Sequence, residues 1–146
     1  MSDTIATPRQ LLEQTHTLIL EGRFDAYADL FADDAVFEIP FAPPGVPRRI
    51  EGGDAIRALF RAGAERAGRQ ARLTGIDYRE MHETTDPEVV VAEFEVHGEQ
   101  AGGEGPFTFS DVIVLRAREG RILSIRDYWS PLDRVDLRAP AEGGAV

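Results

Sequence analysis

Residues 107–129 read FTFSDVIVLRAREGRILSIRDYW, and this stretch decides the fold. Two alternating runs flank Arg118-Glu119-Gly120, a three-residue loop with Gly in its third place. That pattern predicts a β-hairpin closed by a type I turn and a bulge. The loop sets Ala117 opposite Arg121, Leu115 opposite Leu123, Ile113 opposite Ile125, Asp111 opposite Asp127 and Phe109 opposite Trp129. Alternation puts all of these on one side of the sheet. Most are large and apolar, so this side is expected to be buried, and two aspartates stand in the middle of it.

Carboxylates are rarely buried without a partner. Two that face each other repel, so one is expected to keep its proton well above the usual ~3.9. Such an acid serves as general acid or base near neutral pH, which makes Asp127 and Asp111 the candidate catalytic residues. The alternative is a structural role, with both groups satisfied by Arg, Tyr or backbone partners. A register slip of one residue would also turn Asp111 outward.

Working outward, Thr7-Pro8 with Gln10 predicts a capped helix whose apolar face is Leu11, Leu12, Thr15, Leu18 and Ile19, stopped at Gly22. A short second helix buries Phe24, Tyr27, Leu30 and Phe31, and Val36–Ile39 reads as a strand. Residues 40–47 carry four prolines and form a stiff loop with an apolar surface. A third helix starts near Gly53-Asp54, with Ile56, Leu59, Phe60, Gly63 and Ala64 as its packing stripe. Strands then follow over 72–83, 88–98, 106–117 and 121–130. Helices first and strands afterwards predict an α+β domain, a curved antiparallel sheet wrapped around three N-terminal helices with a central apolar pocket. The domain spans 8–132, and 133–146 reads as a flexible tail.

Composition narrows the functions. The chain has 146 residues, one domain's worth, and a formal charge of −10, which repels nucleic acid and anionic membranes alike. All 16 basic residues are Arg, so Schiff-base chemistry and a phosphate-loop lysine are excluded. There is no Cys, hence no disulfide, thiolate ligand or cysteine nucleophile, in keeping with a cytoplasmic location. Met1-Ser2-Asp3-Thr4, with no basic or apolar stretch, is not expected to act as a secretory leader, and no apolar run nears the ~20 residues of a membrane helix.

Several segments resemble a known family. Leu30–Glu38, Pro40–Gly45, Ile50-Glu51-Gly52, Gly120-Arg121-Ile122 and above all Arg126-Asp127-Tyr128-Trp129-Ser130-Pro131-Leu132 are similar to the nuclear transport factor 2-like superfamily, in its branch of SnoaL-like polyketide cyclases and phenazine-biosynthesis A/B proteins. The resemblance implies a cone-shaped domain, a homodimer joined through the sheet, and an acid/base role for Asp127. It also marks departures. Ile39 stands where the ketosteroid isomerase branch has its base, and Thr15 where it has its oxyanion-hole tyrosine. Phe94-Glu95-Val96 replaces the Arg-x-Asp of the limonene epoxide hydrolase branch.

The expected substrate-binding residues are Tyr27, Phe41, Phe60, Tyr78, His82, Phe94, Phe109 and Trp129. His16 is expected on the exposed face of the first helix, and His97 near a strand end. Arg48 and Arg49 could hold an anionic group at the pocket mouth. No spacing suggests a metal site, and no cofactor is expected. The function that follows is cofactor-independent cyclisation, isomerisation or dehydration of a small apolar carbonyl-bearing metabolite. A non-catalytic ligand-binding or accessory protein, and a scaffold with a filled cavity, are the alternatives.

Overall fold

The computed structural model describes residues 4–129, and for 66–70 the backbone alone. Helix α1 spans Pro8–Leu20 and starts as its sequence dictates. The Gln10 N–H donates to Thr7 Oγ1 at 3.1 Å and the Thr7 N–H donates to Gln10 Oε1 at 2.9 Å, with Pro8 in the first turn. Helix α2 is Phe24–Ala28 and α3 is Gly53–Gln70. The strands are β1 (Phe31–Glu38), β2 (Arg49–Glu51), β3 (Ala71–Glu83), β4 (Val89–Gln100), β5 (Pro106–Arg118) and β6 (Arg121–Asp127). They form one sheet in the order β2-β1-β6-β5-β4-β3, with β1 parallel to β6 and the other pairs antiparallel. The expected tail, 133–146, lies outside the described residues.

Strand β4 shows why the sheet has two unlike faces. Val90, Ala92, Phe94 and Val96 are buried, while Val91, Glu93, Glu95 and His97 between them are partly exposed. The buried row continues into Ile113, Leu115 and Ala117 of β5 and Ile122 and Ile125 of β6. Against this inner face pack Leu11, Leu12 and Leu18 of α1, Ile56 of α3 and Phe31, Ala35 and Phe37 of β1. The β3–β4 register shifts twice, between Leu73 and Gly75 and between Tyr78 and Glu80, as β-bulges do.

The hairpin that decides the fold differs from its expected form. Arg118 pairs with Arg121, so the turn has two residues, Glu119 (φ 54°) and Gly120 (φ 77°), the positive pair that a type I′ turn requires. Regular pairing from this turn would set Asp127 opposite Val112 and outward. Instead Ala117 pairs with Ile122 and Arg116 with Ser124, leaving Leu123 as an extra residue. This bulge restores the face: Asp127 stands opposite Ile113, not Asp111, and still points inward. The buried residues of β6 are accordingly Ile122 and Ile125, three apart, rather than Leu123 and Ile125.

Other departures are local. Phe31 begins β1 instead of closing α2, and β2 was not expected, since three residues carry no readable period. Gly63 is exposed, with open space where a Cβ would stand, so it serves no close approach. Gly98 does. A Cβ there would collide with the Phe107 ring and stand 2.8 Å from the Arg72 carbonyl oxygen, which is backbone and cannot yield cheaply. Gly98→Ala is expected to cost about 1–3 kcal/mol, measured by urea unfolding. An unchanged midpoint would show that this crossing of β3, β4 and β5 is looser than described.

Candidate functional site

The inner face of the sheet carries one transverse row of side chains with chemistry in it. Tyr78 of β3 pairs with Phe94 of β4, which pairs with Asp111 of β5. One step along, Met81, Ala92, Ile113 and Asp127 form the next row. Asp111 and Asp127 are therefore diagonal neighbours on one face, a spacing that side chains can bridge.

Their surroundings are aliphatic and aromatic, and both carboxyls respond to it. Asp111, 8 % exposed, is pushed up to about 9, first by burial and then by the charge of Asp127. Asp127 is also raised by burial, but a hydrogen bond from Asp111 and the Trp129 amide favour its charged form. The two therefore share a proton, with Asp127 the member that ionises first and Asp111 the one that retains its hydrogen. Among the described residues, Oδ1 of each is buried without a hydrogen-bond partner. No arginine reaches the pair in any described ion pair or hydrogen bond.

Tyr27 comes to the pair from α2. It is fully packed, and burial together with the charge of Asp127 holds its phenol well above the usual range. Its ring meets Phe60 at 4.7 Å and Phe31 at 5.2 Å, and Phe60 meets Phe37 at 5.2 Å, each edge-on. Arg57 fixes the helix that carries it. The guanidinium donates to the Asp25 carbonyl at 3.1 Å, to the Asp25 carboxylate at 3.2 Å and to Asp29, while Arg61 Nε adds a bond to Asp25 at 2.9 Å. These contacts clamp α2 on α3 and so aim Tyr27.

The remaining expected site residues divide. Phe94 is buried in the row, and Trp129 and Phe60 pack against the core. Phe109 (37 % exposed) and Tyr78 (39 %) stand at the rim of the inner face. Phe41 does not line the interior: it is 56 % exposed and its ring meets Tyr128 at 5.7 Å, on the opposite side of β6 from Asp127. His82 lies on the outer face, bonded to Glu93 at 2.7 Å, because its neighbour Met81 takes the inward place. His97 shares that outer face, between Asp77 at 2.8 Å and Thr108 at 2.9 Å. Arg49 is engaged by Glu51 and Glu38, and Arg48 is exposed. Two clefts among the described residues, about 230 Å³ beside Asp29, Asp54 and Arg57 and about 300 Å³ beside Thr7 and Pro87, reach neither Asp111 nor Asp127.

His16, too, departs from its expected place. His16 is 4 % exposed, not on the solvent side of α1. Its Nδ1 lies 2.6 Å from the Tyr78 hydroxyl and its ring 4.4 Å from that of Phe94. Burial pushes it down to about 4, so it is neutral. The signal was present: Leu12, His16 and Ile19 follow the i, i+4, i+7 rule, and a helix laid across a concave sheet buries more than a narrow stripe.

Among the described residues no three His, Asp or Glu side chains gather to hold a metal ion, and no helix is long and apolar enough to cross a membrane. A SnoaL-like domain is matched over residues 12–125. A PhzA/B-like protein of Pseudomonas aeruginosa, itself uncharacterised, is 32% identical over 137 residues, 94% of each chain. The crystal structure of a candidate isomerase from Bacillus subtilis is 32% identical and superposes with a TM-score of 0.76, covering 86% of this chain and 87% of that one. A candidate polyketide cyclase from Pseudomonas putida, at 21% identity, shares the fold with a TM-score of 0.65 over 92% of this chain and 99% of its own. With its three N-terminal helices laid in an unclosed, curved six-stranded sheet, the chain belongs to the SnoaL-like family of the nuclear transport factor 2-like, ketosteroid isomerase-like fold.

Proposed function

We propose that this chain is an acid/base enzyme acting on a small, largely apolar metabolite with a carbonyl group. The observation that carries the reading is the Asp111–Asp127 pair, two carboxyls set diagonally on the inner face with a buried, unpartnered Oδ1 each, where burial raises both. A pair in that state offers a base and an acid side by side, without a cofactor for the proton step. Asp127 takes a proton from the carbon next to the carbonyl. The C–H bond breaks, its electron pair moves toward the carbonyl oxygen, and an enolate forms. Asp127 then returns the proton: to another carbon in isomerisation, to a hydroxyl on the neighbouring carbon that leaves as water in dehydration, or to the alkoxide formed when the enolate attacks a second carbonyl in cyclisation. Asp111 keeps its hydrogen bond to Asp127 and so tunes its basicity. Phe94, Tyr27, Phe60 and Trp129 supply the apolar walls.

A second reading has one observation in its favour: neither of the two clefts described above reaches the acids. In that reading the chain holds a ligand, or only packs its core, and does no chemistry. The two separate on one variant. Asp127→Asn is expected to slow deuterium exchange at the α-carbon of small cyclic ketones by roughly 10²–10⁴-fold while leaving ketone binding little changed. Undiminished exchange, or none in the wild type, defeats the enzymatic reading.

The pair also sets a pH dependence of stability. In the native state Asp111 holds its proton up to about 9, against 3.8 ordinarily, so across that window the folded chain binds more protons than the unfolded one. Its contribution is present in full below the lower value and is lost as pH rises toward the upper one. Asp111→Asn copies the neutral acid and cannot ionise. Its stability relative to the wild type is expected to grow with pH, by a fraction of ~1.4 kcal/mol per unit, and to vanish near pH 4. Parallel stability–pH curves for the two proteins would contradict the buried pair.

The same reading joins two copies through the outer face of the sheet, where Val91, Val112 and Val114 stand half-buried between ion pairs. Sedimentation at micromolar concentration is expected to give the mass of a dimer. A monomer there ends this part of the proposal.

A further inference from the structure

Removing a proton next to a carbonyl leaves negative charge on the oxygen, and a wall of phenylalanine cannot stabilise it. The acid pair lies toward one side of the inner face. Across the row, on the far side of Phe94, stand two more polar side chains that face inward: His16 from α1 and Tyr78 from β3. A 2.6 Å contact joins Nδ1 to the phenol oxygen, and the rings stack at 5.5 Å. Among the described residues Nε2 has no hydrogen-bond partner.

We infer that His16 is the hydrogen-bond donor to the substrate carbonyl: the Tyr78 hydroxyl donates to Nδ1, the imidazole is held as its Nε2–H tautomer, and that N–H takes the oxygen whose α-proton Asp127 removes. The inference rests on the acid/base reading and adds to it the residue that receives the developing charge. Tyr78 is then a positioning residue, acting through the ring it orients.

The direction of the His16–Tyr78 bond follows from acidity. A phenol O–H is a stronger donor than a neutral imidazole N–H, and an imidazole nitrogen is a better acceptor than a phenol oxygen. A neutral ring has one of each, so an occupied Nδ1 acceptor leaves the hydrogen on Nε2. Burial favours the neutral ring, holding His16 down to about 4, and keeps the Tyr78 proton in place by raising that phenol to about 12. The groups that face the ring are Tyr78 and Phe94, with Asp111 on the adjacent strand and Glu13 near the phenol. Thr15, next to it, spends its hydroxyl on the Leu12 carbonyl at 2.6 Å and is not available as a second donor. A neutral donor fits this role, because it stabilises an enolate without placing a permanent cation in an apolar site.

The test uses the full chain labelled with ¹⁵N. Long-range proton–nitrogen correlation reads both ring nitrogens of His16. The expected result is a neutral ring from about pH 5 to 8, protonated at Nε2. Tyr78→Phe is expected to turn this single tautomer into a mixture, an effect that lost packing alone would not produce. Adding 1-indanone is expected to shift the Nε2–H signal, and adding indane, the same skeleton without oxygen, is not. His16→Leu should reduce the preference for indanone over indane roughly tenfold, with His16→Gln restoring part of it. If His16→Leu does not fold, Tyr78→Phe and the two titrations decide alone. A proton on Nδ1, an imidazolium at neutral pH, or the same response to indanone and indane, including none, overturns the inference. The acid/base reading fails separately, by Asp127→Asn retaining exchange while His16 still answers to the ketone.

Discussion

Whether a carboxyl faces water or hydrocarbon depends, in a strand, on counting to an odd or an even number. Strand β6 leaves a two-residue turn whose regular continuation would carry Asp127 to the outer face. The unpaired Leu123 changes the count by one and brings the carboxyl inside. The same shift puts Ile122 and Ile125 in the core and leaves Ser124 and Arg126 facing out. The shared proton, the displaced acidity of Asp111 and the influence of that charge on Tyr27 all follow from this one irregularity.

The two polar groups of the inner face are treated differently by their neighbours. The aspartates are near each other and near no cation, so burial and repulsion act in the same direction on Asp111. His16 is near a hydroxyl and two rings, and burial simply removes its charge. Burial thus works against charge on this wall, holding the hydrogen on Asp111 and keeping the His16 ring neutral. The cationic side chains are spent on the periphery. Arg57 and Arg61 tie α2 to α3, Arg79 answers Glu95, and Arg116 and Arg118 gather around Glu88.

Much of this was readable from residues. The capping box of α1, the proline loop and the alternation of β4 each have a local cause and were placed accordingly. The inward aspect of Asp111 and Asp127 was also legible, although by a different route. A three-residue loop followed by regular pairing and a two-residue turn followed by the bulge at Leu123 give the same parity, so the partner of Asp127 was misassigned by two residues while its face was not. What failed has a non-local origin. His16 is buried because α1 lies against the inner face of the sheet, where the ring meets Tyr78 and Phe94, partners remote in sequence. His82 and Phe41 were read as pocket residues from their chemistry, but their sides are set by the pairing of Met81 with Ala92 and by the course of the proline loop. The packed surroundings of the acids could not be read, since the space between elements is a property of all of them together.

The unpaired residue at Leu123 has a consequence for inheritance. Lengthening the β5–β6 turn by one codon would evert the acid unless the bulge were lost in the same lineage, and a bulge lost alone would do the same unless one residue were deleted with it. Length changes in this hairpin should therefore arise in compensating pairs among descendants that keep the acid inside, and lone insertions should mark copies that have abandoned it.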